Sequence, residues 1–83
     1  MYNRLRRYTS MVMSKEHFDR LMSKEEQEER IQRLKDAKPG EVLFNLATGV
    51  RQEWTDAVET LLHMAGVTYT VGVANYMAHY TKL

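Results

Sequence analysis

The only proline of the chain is followed directly by a glycine, and this Pro39-Gly40 step separates two halves of different character. Residues 14–37 contain neither residue type and consist mostly of good helix formers, so they predict helix that ends at the step. Ser14 can act as an N-cap, and Ser23 followed by Glu26 three positions later matches a capping box. The first half therefore predicts either one long helix or two helices joined at Ser23.

Two segments follow the step, and each shows its own periodicity. Residues 41–47 are short, apolar and bounded by turn residues, which predicts a buried strand, with a short helix as the alternative. Over 49–65 the apolar side chains recur at helical spacing and the polar ones occupy the opposite face, the pattern of an amphipathic helix. We expect Thr48 to cap the start of this helix and Gly66 to end it in a left-handed conformation.

Apolar residues alternate with small or polar ones after Gly66, and β-branched types are frequent there. This pattern predicts a half-buried strand over 67–73, followed by a short helix or a tail from Ala74 to Leu83. Two strands joined through a helix in one sheet imply a right-handed crossover. Because two strands alone are not stable, we expect residues 7–13 or a second copy of the chain to supply a third.

The predicted fold class is α+β, with a helical segment over 14–37 followed by strand, helix and strand at about 41–47, 49–65 and 67–73. An all-α alternative is a degenerate helix-turn-helix at 63–71, where Gly66 follows one helix and a threonine caps the next. Gly72 would then interrupt the recognition helix, and the segment lacks the Arg, Lys or Gln side chains that read bases. The α+β interpretation is therefore preferred.

Length and composition place the chain among small folded domains. It has 83 residues and a mass of 9.8 kDa, and 43% of its residues are hydrophobic, too many for a disordered chain. We therefore predict a single small domain over 1–83, with residues 1–13 as a flexible arm or an edge strand. A chain of this length buries only about 60% of its unfolded surface, so self-association or a partner is expected to bury more.

The chain contains no cysteine, which excludes disulfides, thiolate metal sites, iron–sulfur clusters and cysteine nucleophiles. This composition fits a reducing compartment. The basic N-terminal residues are not followed by an apolar stretch of the signal-peptide type, and no window approaches the roughly 18 apolar residues of a membrane span. We predict a soluble cytoplasmic protein without a membrane partner.

Charge is unevenly distributed, although the formal net charge is only +1. Residues 1–14 carry three arginines and no acid, residues 15–38 carry seven basic and seven acidic groups, and residues 39–83 carry two basic groups against four acids. A domain built wholly for nucleic-acid phosphates shows a clear basic excess. Only the first block could therefore serve that purpose.

Residue patterns that carry catalysis are missing from the sequence. The four glycines are isolated, so no phosphate-binding loop is present, and the serines do not form a nucleophile motif. Glu59 and His63 have the i,i+4 spacing of an acid–base or metal pair, but they lie on the polar face of the predicted helix, where a weak surface pair is the commoner arrangement. We therefore predict no enzymatic activity, no cofactor and no metal site.

Two groups of residues are candidates for partner binding, because arginine and aromatic side chains are enriched in interface hot spots. The groups consist of Tyr2, Arg4, Arg6, Arg7 and Tyr8 near the N-terminus, and of Tyr76, Met77 and Tyr80 near the C-terminus. The alternative for the first group is a disordered end, and for the second it is packing in the core. Which alternative holds depends on where the fold places each side chain.

These features together predict a small non-enzymatic protein that acts by protein–protein interaction, as an adaptor or an inhibitor of a larger complex, with a homodimer as its expected state. Accessory proteins of phages and mobile elements are often of this kind. The alternative is a small nucleic-acid-binding transcriptional regulator that holds phosphates with Arg4, Arg6 and Arg7.

Overall fold

The computed structural model describes residues 13–83. In this part of the chain there are three helices and three strands: α1 (Lys15–Leu21), α2 (Lys24–Asp36), β1 (Val42–Ala47), α3 (Gln52–Ala65), β2 (Tyr69–Ala74) and β3 (Met77–Lys82). The predicted α+β class and its strand-helix-strand order are confirmed. The expected arm or edge strand at residues 1–13 falls, apart from Met13, outside the described residues, and Met13 packs against the core.

The first half of the chain forms two helices, because Ser14 caps the start of α1 and Ser23 caps the start of α2. The Ser14 hydroxyl accepts a hydrogen bond from the His17 amide at 3.2 Å, and the Ser23 hydroxyl accepts one from the Glu26 amide at 3.1 Å. Between the helices Met22 is extended, with φ of −141° and ψ of 132°, so the first helix cannot continue into the second. Of the two predicted arrangements, the chain adopts two helices joined at Ser23.

A buried glutamine fixes the joint between α1 and α2. Gln27 is 4% exposed, and its side-chain amide donates to the Met22 carbonyl oxygen at 3.0 Å and to Asp19 Oδ1 at 2.9 Å. Both bonds cross from α2 to the end of α1. One side chain therefore satisfies a carbonyl that the helix end leaves open and orients the two helices relative to each other.

The central strand of the sheet is β3, since the strand order is β1-β3-β2. It pairs antiparallel with both neighbours, so β1 and β2 run parallel to each other without pairing. The sequence predicts a helix or a tail after Ala74, and this prediction is wrong. Asn75 and Tyr76 have φ values of 52° and 62°, the signature of a type I′ turn, which folds β3 back beside β2.

The two ends of α3 test three predictions: the stop at Gly66, the helix-turn-helix alternative and the cap at Thr48. Gly66 ends the helix with φ of 70°, and its amide donates to two carbonyl oxygens of the last turn, as the sequence predicts. The chain then continues as β2, so no recognition helix follows and the helix-turn-helix alternative is wrong. The predicted cap at Thr48 is also wrong, because Arg51 precedes the helix and the Thr48 amide donates to the Tyr76 carbonyl oxygen at 2.9 Å.

The core lies between the helices and one face of the sheet. Its buried members are Phe18, Met22, Leu34, Ala57, Val58, Leu61, Leu62, Ala65 and Tyr80. The residues opposite Tyr80 on the two outer strands are Phe44 and Val71, which therefore share its face of the sheet. The other face, which includes Gly72 and His79, points away from the core.

Candidate functional site

The predicted partner-binding residues lie in different surroundings. Tyr2, Arg4, Arg6, Arg7 and Tyr8 lie outside the described residues. Tyr76 is 85% exposed at the tip of the β2–β3 hairpin, whereas Met77 is half-buried at the start of β3 and Tyr80 is 3% exposed in the core. The three C-terminal residues therefore do not form one surface.

Tyr80 fills the centre of the core and is inaccessible to a partner. Its ring meets Phe44 edge-on at 6.5 Å between centroids and lies tilted against Tyr69 at 5.9 Å. Burial, followed by the negative charge of Glu59, raises the pKa of the Tyr80 hydroxyl above its ordinary value of 10.0. For this residue the structure favours the alternative of core packing.

Tyr76 occupies a backbone position that a large L residue rarely adopts. Its φ of 62° lies in the left-handed region, which costs an ordinary L residue roughly 1–2 kcal/mol relative to the right-handed region. The turn is held in place by the hydrogen bond from the Thr48 amide to the Tyr76 carbonyl oxygen. The result is an anchored hairpin tip, formed by Asn75 and Tyr76, with one large aromatic ring in solvent.

A cleft of about 340 Å³ lies between α2 and β1. It is lined by Arg30, Arg33, Leu34, Ala37, Glu41, Val42, Leu43, Phe44 and Asn45. A second cavity, of about 280 Å³, lies along α2 and shares Arg30 and Arg33 with the cleft. Two arginine side chains therefore line the cleft together with apolar side chains of β1.

The two arginines of the cleft differ in their partners. Arg30 donates two hydrogen bonds to Glu26, at 3.3 and 3.2 Å. Arg33 is exposed and forms no ion pair with another residue of the described range. A guanidinium in this state, beside Leu34 and Phe44, can bind a carboxylate whose neighbour is an apolar side chain.

Sequence reasoning missed the cleft because residues distant along the chain form it. The spacing of Arg30 and Arg33 on one predicted helix was the signal available. Their apolar neighbours on β1 follow only from the placement of α2 beside that strand. The cleft is therefore a property of the tertiary structure and not of any one segment.

β2 is an edge strand that pairs only with β3 among the described residues. Val71 and Val73 lie on the core-facing side, opposite Tyr80 and Ala78, yet they are 47% and 67% exposed. The strand contains neither a charged residue nor a proline, the features with which proteins usually protect a sheet edge. Within residues 13–83, the edge of β2 is therefore open to a further strand.

Two of the three histidines in the described range contact a residue of a neighbouring element, and the third is exposed. His17 Nε2 lies 3.7 Å from Glu53 Oε1 and connects α1 to α3, and His79 shares a hydrogen bond with Asn45 across β1 and β3. His63, which the sequence pairs with Glu59, is exposed near the end of α3. Within residues 13–83, no group of three His, Cys, Asp or Glu side chains is placed to hold a metal ion.

Comparison with known proteins assigns the chain to no family. No protein-family model matches the chain, and no curated protein or solved structure matches it either. Across residues 13–83, none of the helices is both long enough and apolar enough to cross a membrane. In the described part of the chain, three surfaces are candidates for a functional role: the hairpin tip, the cleft and the edge of β2.

Proposed function

We propose that this protein is a non-enzymatic, partner-binding protein of the cytoplasm that acts as an adaptor or as an inhibitor of a larger complex. The hairpin tip supplies the principal contact through the Tyr76 ring. Self-association to a homodimer is a second part of the proposal. Phage and mobile-element accessory proteins are the class that this size and this lack of catalytic motifs fit.

The observation that carries the proposal is the combination of an unfavourable backbone conformation and exposure at Tyr76. Glycine at this position would avoid the left-handed penalty, and Asn-Gly is a strongly preferred pair in a type I′ turn. The tyrosine side chain adds little packing to the described fold, because it is 85% exposed. Residues in unfavourable backbone conformations concentrate at active sites, at ligand-binding positions and in switch regions.

A tyrosine at an anchored tip is suited to protein recognition. Tyrosine is enriched in interface hot spots because its ring buries a large area while its hydroxyl can still form a hydrogen bond. The two-residue turn already fixes the backbone of Tyr76, so binding needs to order few additional torsions. The cleft beside β1 offers a second contact, through Arg33, to an acidic segment of a partner.

Two glycine substitutions in the same turn test the proposal. Tyr76→Gly removes the ring and relieves the backbone penalty, so we expect the free energy of unfolding to rise by roughly 0.5–1 kcal/mol while partner binding is lost. Asn75→Gly introduces comparable backbone freedom but keeps the ring, and we expect it to bind like the wild-type chain. The measurement is capture of proteins by each tagged chain from two parallel lysates of the native host, one treated with nuclease and one untreated, followed by quantitative mass spectrometry.

The pattern of recovery across the variants decides the proposal. A stoichiometric protein retained by the wild-type chain and by Asn75→Gly, but lost with Tyr76→Gly, supports it and identifies the partner. Equal recovery by all three chains contradicts a binding role for Tyr76. Material that disappears with nuclease would instead favour the nucleic-acid-binding regulator, whose predicted contacts are Arg4, Arg6 and Arg7 outside the described residues.

A further inference from the structure

The register of the β2–β3 hairpin shows which backbone groups of β2 point outward. In a hairpin with a two-residue turn, the two residues that flank the turn exchange both backbone hydrogen bonds, and here these residues are Ala74 and Met77. Along an antiparallel ladder, such hydrogen-bonded pairs alternate with pairs that form no hydrogen bonds to each other. The Leu83 amide donates to the Thr68 carbonyl oxygen at 3.0 Å, in phase with this alternation. Val71 and Val73 fall between the bonded positions, so their amides and carbonyls point away from β3.

We propose that a second copy of the chain adds its own β2 antiparallel to this edge, with the twofold axis at Gly72. Val71 then lies opposite the partner's Val73, and Val73 opposite the partner's Val71. Both exposed valines of each copy are thereby covered on the core-facing side. The outward amides and carbonyls of the two edges pair with each other, and two three-stranded sheets become one continuous sheet.

A second copy is the occupant because β2 is complementary to itself. The strand has no charged side chain, so two copies meet without like-charge repulsion, and a charged partner strand would find no opposite charge on it. The outward backbone groups of Val71 and Val73 meet the same two residues of an antiparallel copy. Side-chain contact and backbone pairing therefore favour the same twofold arrangement.

The outward backbone amides and carbonyls of β2 could also pair in a neighbouring register, in which the twofold axis of the dimer passes through Val71. That register places Tyr69 opposite the partner's Val73. The Tyr69 ring already packs against Tyr80, at 5.9 Å between centroids, and belongs to the rim of the core. The axis at Gly72 instead pairs the two exposed valines with each other, and it is the register that we infer.

This inference rests on the self-association included in the proposed function, and it gives that association a site. It uses neither Tyr76 nor the cleft. The experiments below change only the β-strands, whereas the partner-capture experiment changes only the turn. Failure of the dimer and failure of partner binding are therefore distinguishable.

The absence of cysteine from the chain allows a direct test of the register. Gly72 and the partner's Gly72 form a pair without hydrogen bonds, with Cα atoms about 4.5 Å apart, which suits a disulfide. A β-carbon at Gly72 meets no atom within 4 Å, so Gly72→Cys is accommodated. With diamide as the oxidant, which takes up the two thiol hydrogens, we expect this variant to form a covalent dimer on a non-reducing gel.

Thr70→Cys is the matched control for the cross-link. Thr70 lies on the same strand and the same face as Gly72, but in the inferred register it stands opposite the partner's Ala74. Its Cα atom is then roughly 13 Å from that of the partner's Thr70, too far for a disulfide. We expect this variant to remain monomeric on the gel, and a cross-linking yield that does not favour Gly72→Cys over Thr70→Cys overturns the proposal.

Sedimentation equilibrium of the full chain tests the association itself. Val73→Lys places a charge at the edge and is expected to weaken the dimer by at least about tenfold, whereas Val42→Lys, at a 47% exposed valine of β1, is expected to leave it unchanged. Pairing of two strand edges buries little surface area, so we expect the wild-type dimer to be weak, with a dissociation constant in the micromolar range. A wild-type chain that stays monomeric up to about 1 mM, or a Val73→Lys dimer as stable as that of Val42→Lys, overturns the proposal.

Discussion

The ammonium nitrogen of Lys82 lies 2.6 Å from the carbonyl oxygen of Ala37, the C-cap residue that follows α2. The same nitrogen lies 3.1 and 3.2 Å from the carbonyl oxygens of Leu34 and Lys35. The last carbonyls of a helix lack partners within the helix and form the negative end of its dipole. One cation from β3 therefore satisfies several of them and connects α2 to the central strand of the sheet.

We expect Lys82→Met to lower the free energy of unfolding by about 1–2 kcal/mol, because it keeps the aliphatic stem and removes the charge-assisted hydrogen bonds. Lys35→Met is the control, since it makes the same charge change at an exposed side chain in the last turn of α2. Its effect is expected to stay within about 0.5 kcal/mol. Urea denaturation measures both variants, and equal losses would show that Lys82 contributes only through net charge.

The joint between α1 and α2 makes stability sensitive to acid. The hydrogen bond from Gln27, and after it the one from Lys15, lowers the pKa of Asp19 below its ordinary value of 3.8. A carboxylate whose pKa is lowered by folding stabilises the fold at neutral pH, and this contribution is lost as the pH falls from about 5 through the folded-state pKa. We therefore expect part of the acid destabilisation of the wild-type chain to come from Asp19.

Gln27→Leu separates this contribution from general acid denaturation. It removes the donor to Asp19 and leaves the Met22 carbonyl unsatisfied, so we expect the free energy of unfolding at neutral pH to fall by roughly 1–3 kcal/mol. The pKa of Asp19, followed by carboxyl NMR titration, is expected to move up toward 3.8. Gln32→Leu, which removes an amide bond to Asp36 on an exposed surface, is expected to leave the Asp19 titration unchanged, and an unmoved Asp19 in Gln27→Leu would contradict the assignment.

The buried Tyr80 hydroxyl is expected to limit stability at alkaline pH. Because burial raises the pKa of Tyr80 above 10.0, the unfolded chain ionises first, so the stabilisation is complete below about pH 10 and is lost as the pH rises through the folded-state pKa. Tyr80→Phe keeps the ring packing and is expected to show a shallower decline above pH 10 in urea titrations. Tyr76→Phe, at the 85% exposed tip, is expected to decline like the wild-type chain, and the same slope in both variants would contradict the burial argument.

Local signals in the sequence predict the helical segments and two of the strands, but they leave open whether residues 14–37 form one helix or two, and they misplace the cap of α3 at Thr48. The caps at Ser14 and Ser23 and the stop at Gly66 depend on neighbours within one helical turn, so they can be recognised from spacing alone. The sequence does not predict β3, because its turn is Asn75-Tyr76 and lacks the Asn-Gly pair that usually indicates a hairpin. The residue that hides the turn is thus the same residue whose ring we assign to partner binding.

The surfaces to which we assign a function depend on contacts between distant residues, which residue spacing does not encode. Tyr76 and Tyr80 are equivalent candidates in the sequence, yet one is at an exposed tip and the other packs against Phe44 in the core. That difference follows from the pairing of β3 between two other strands. The cleft likewise requires Arg33 on α2 to lie beside β1, a placement that the sequence does not specify.

A carboxylate-bearing segment is expected to bind in the cleft between α2 and β1 through Arg33, with Leu34 and Phe44 as apolar surface beside it. Short fluorescein-labelled peptides with one aspartate between leucines are expected to bind the wild-type chain about tenfold more tightly than their asparagine counterparts, and Arg33→Glu is expected to abolish this difference. Arg20→Glu makes the same charge change in the last turn of α1, outside the cleft, and is expected to preserve the difference. Fluorescence anisotropy titrations measure the affinities, and equal binding of the aspartate and asparagine peptides to the wild-type chain would rule out carboxylate recognition by the cleft.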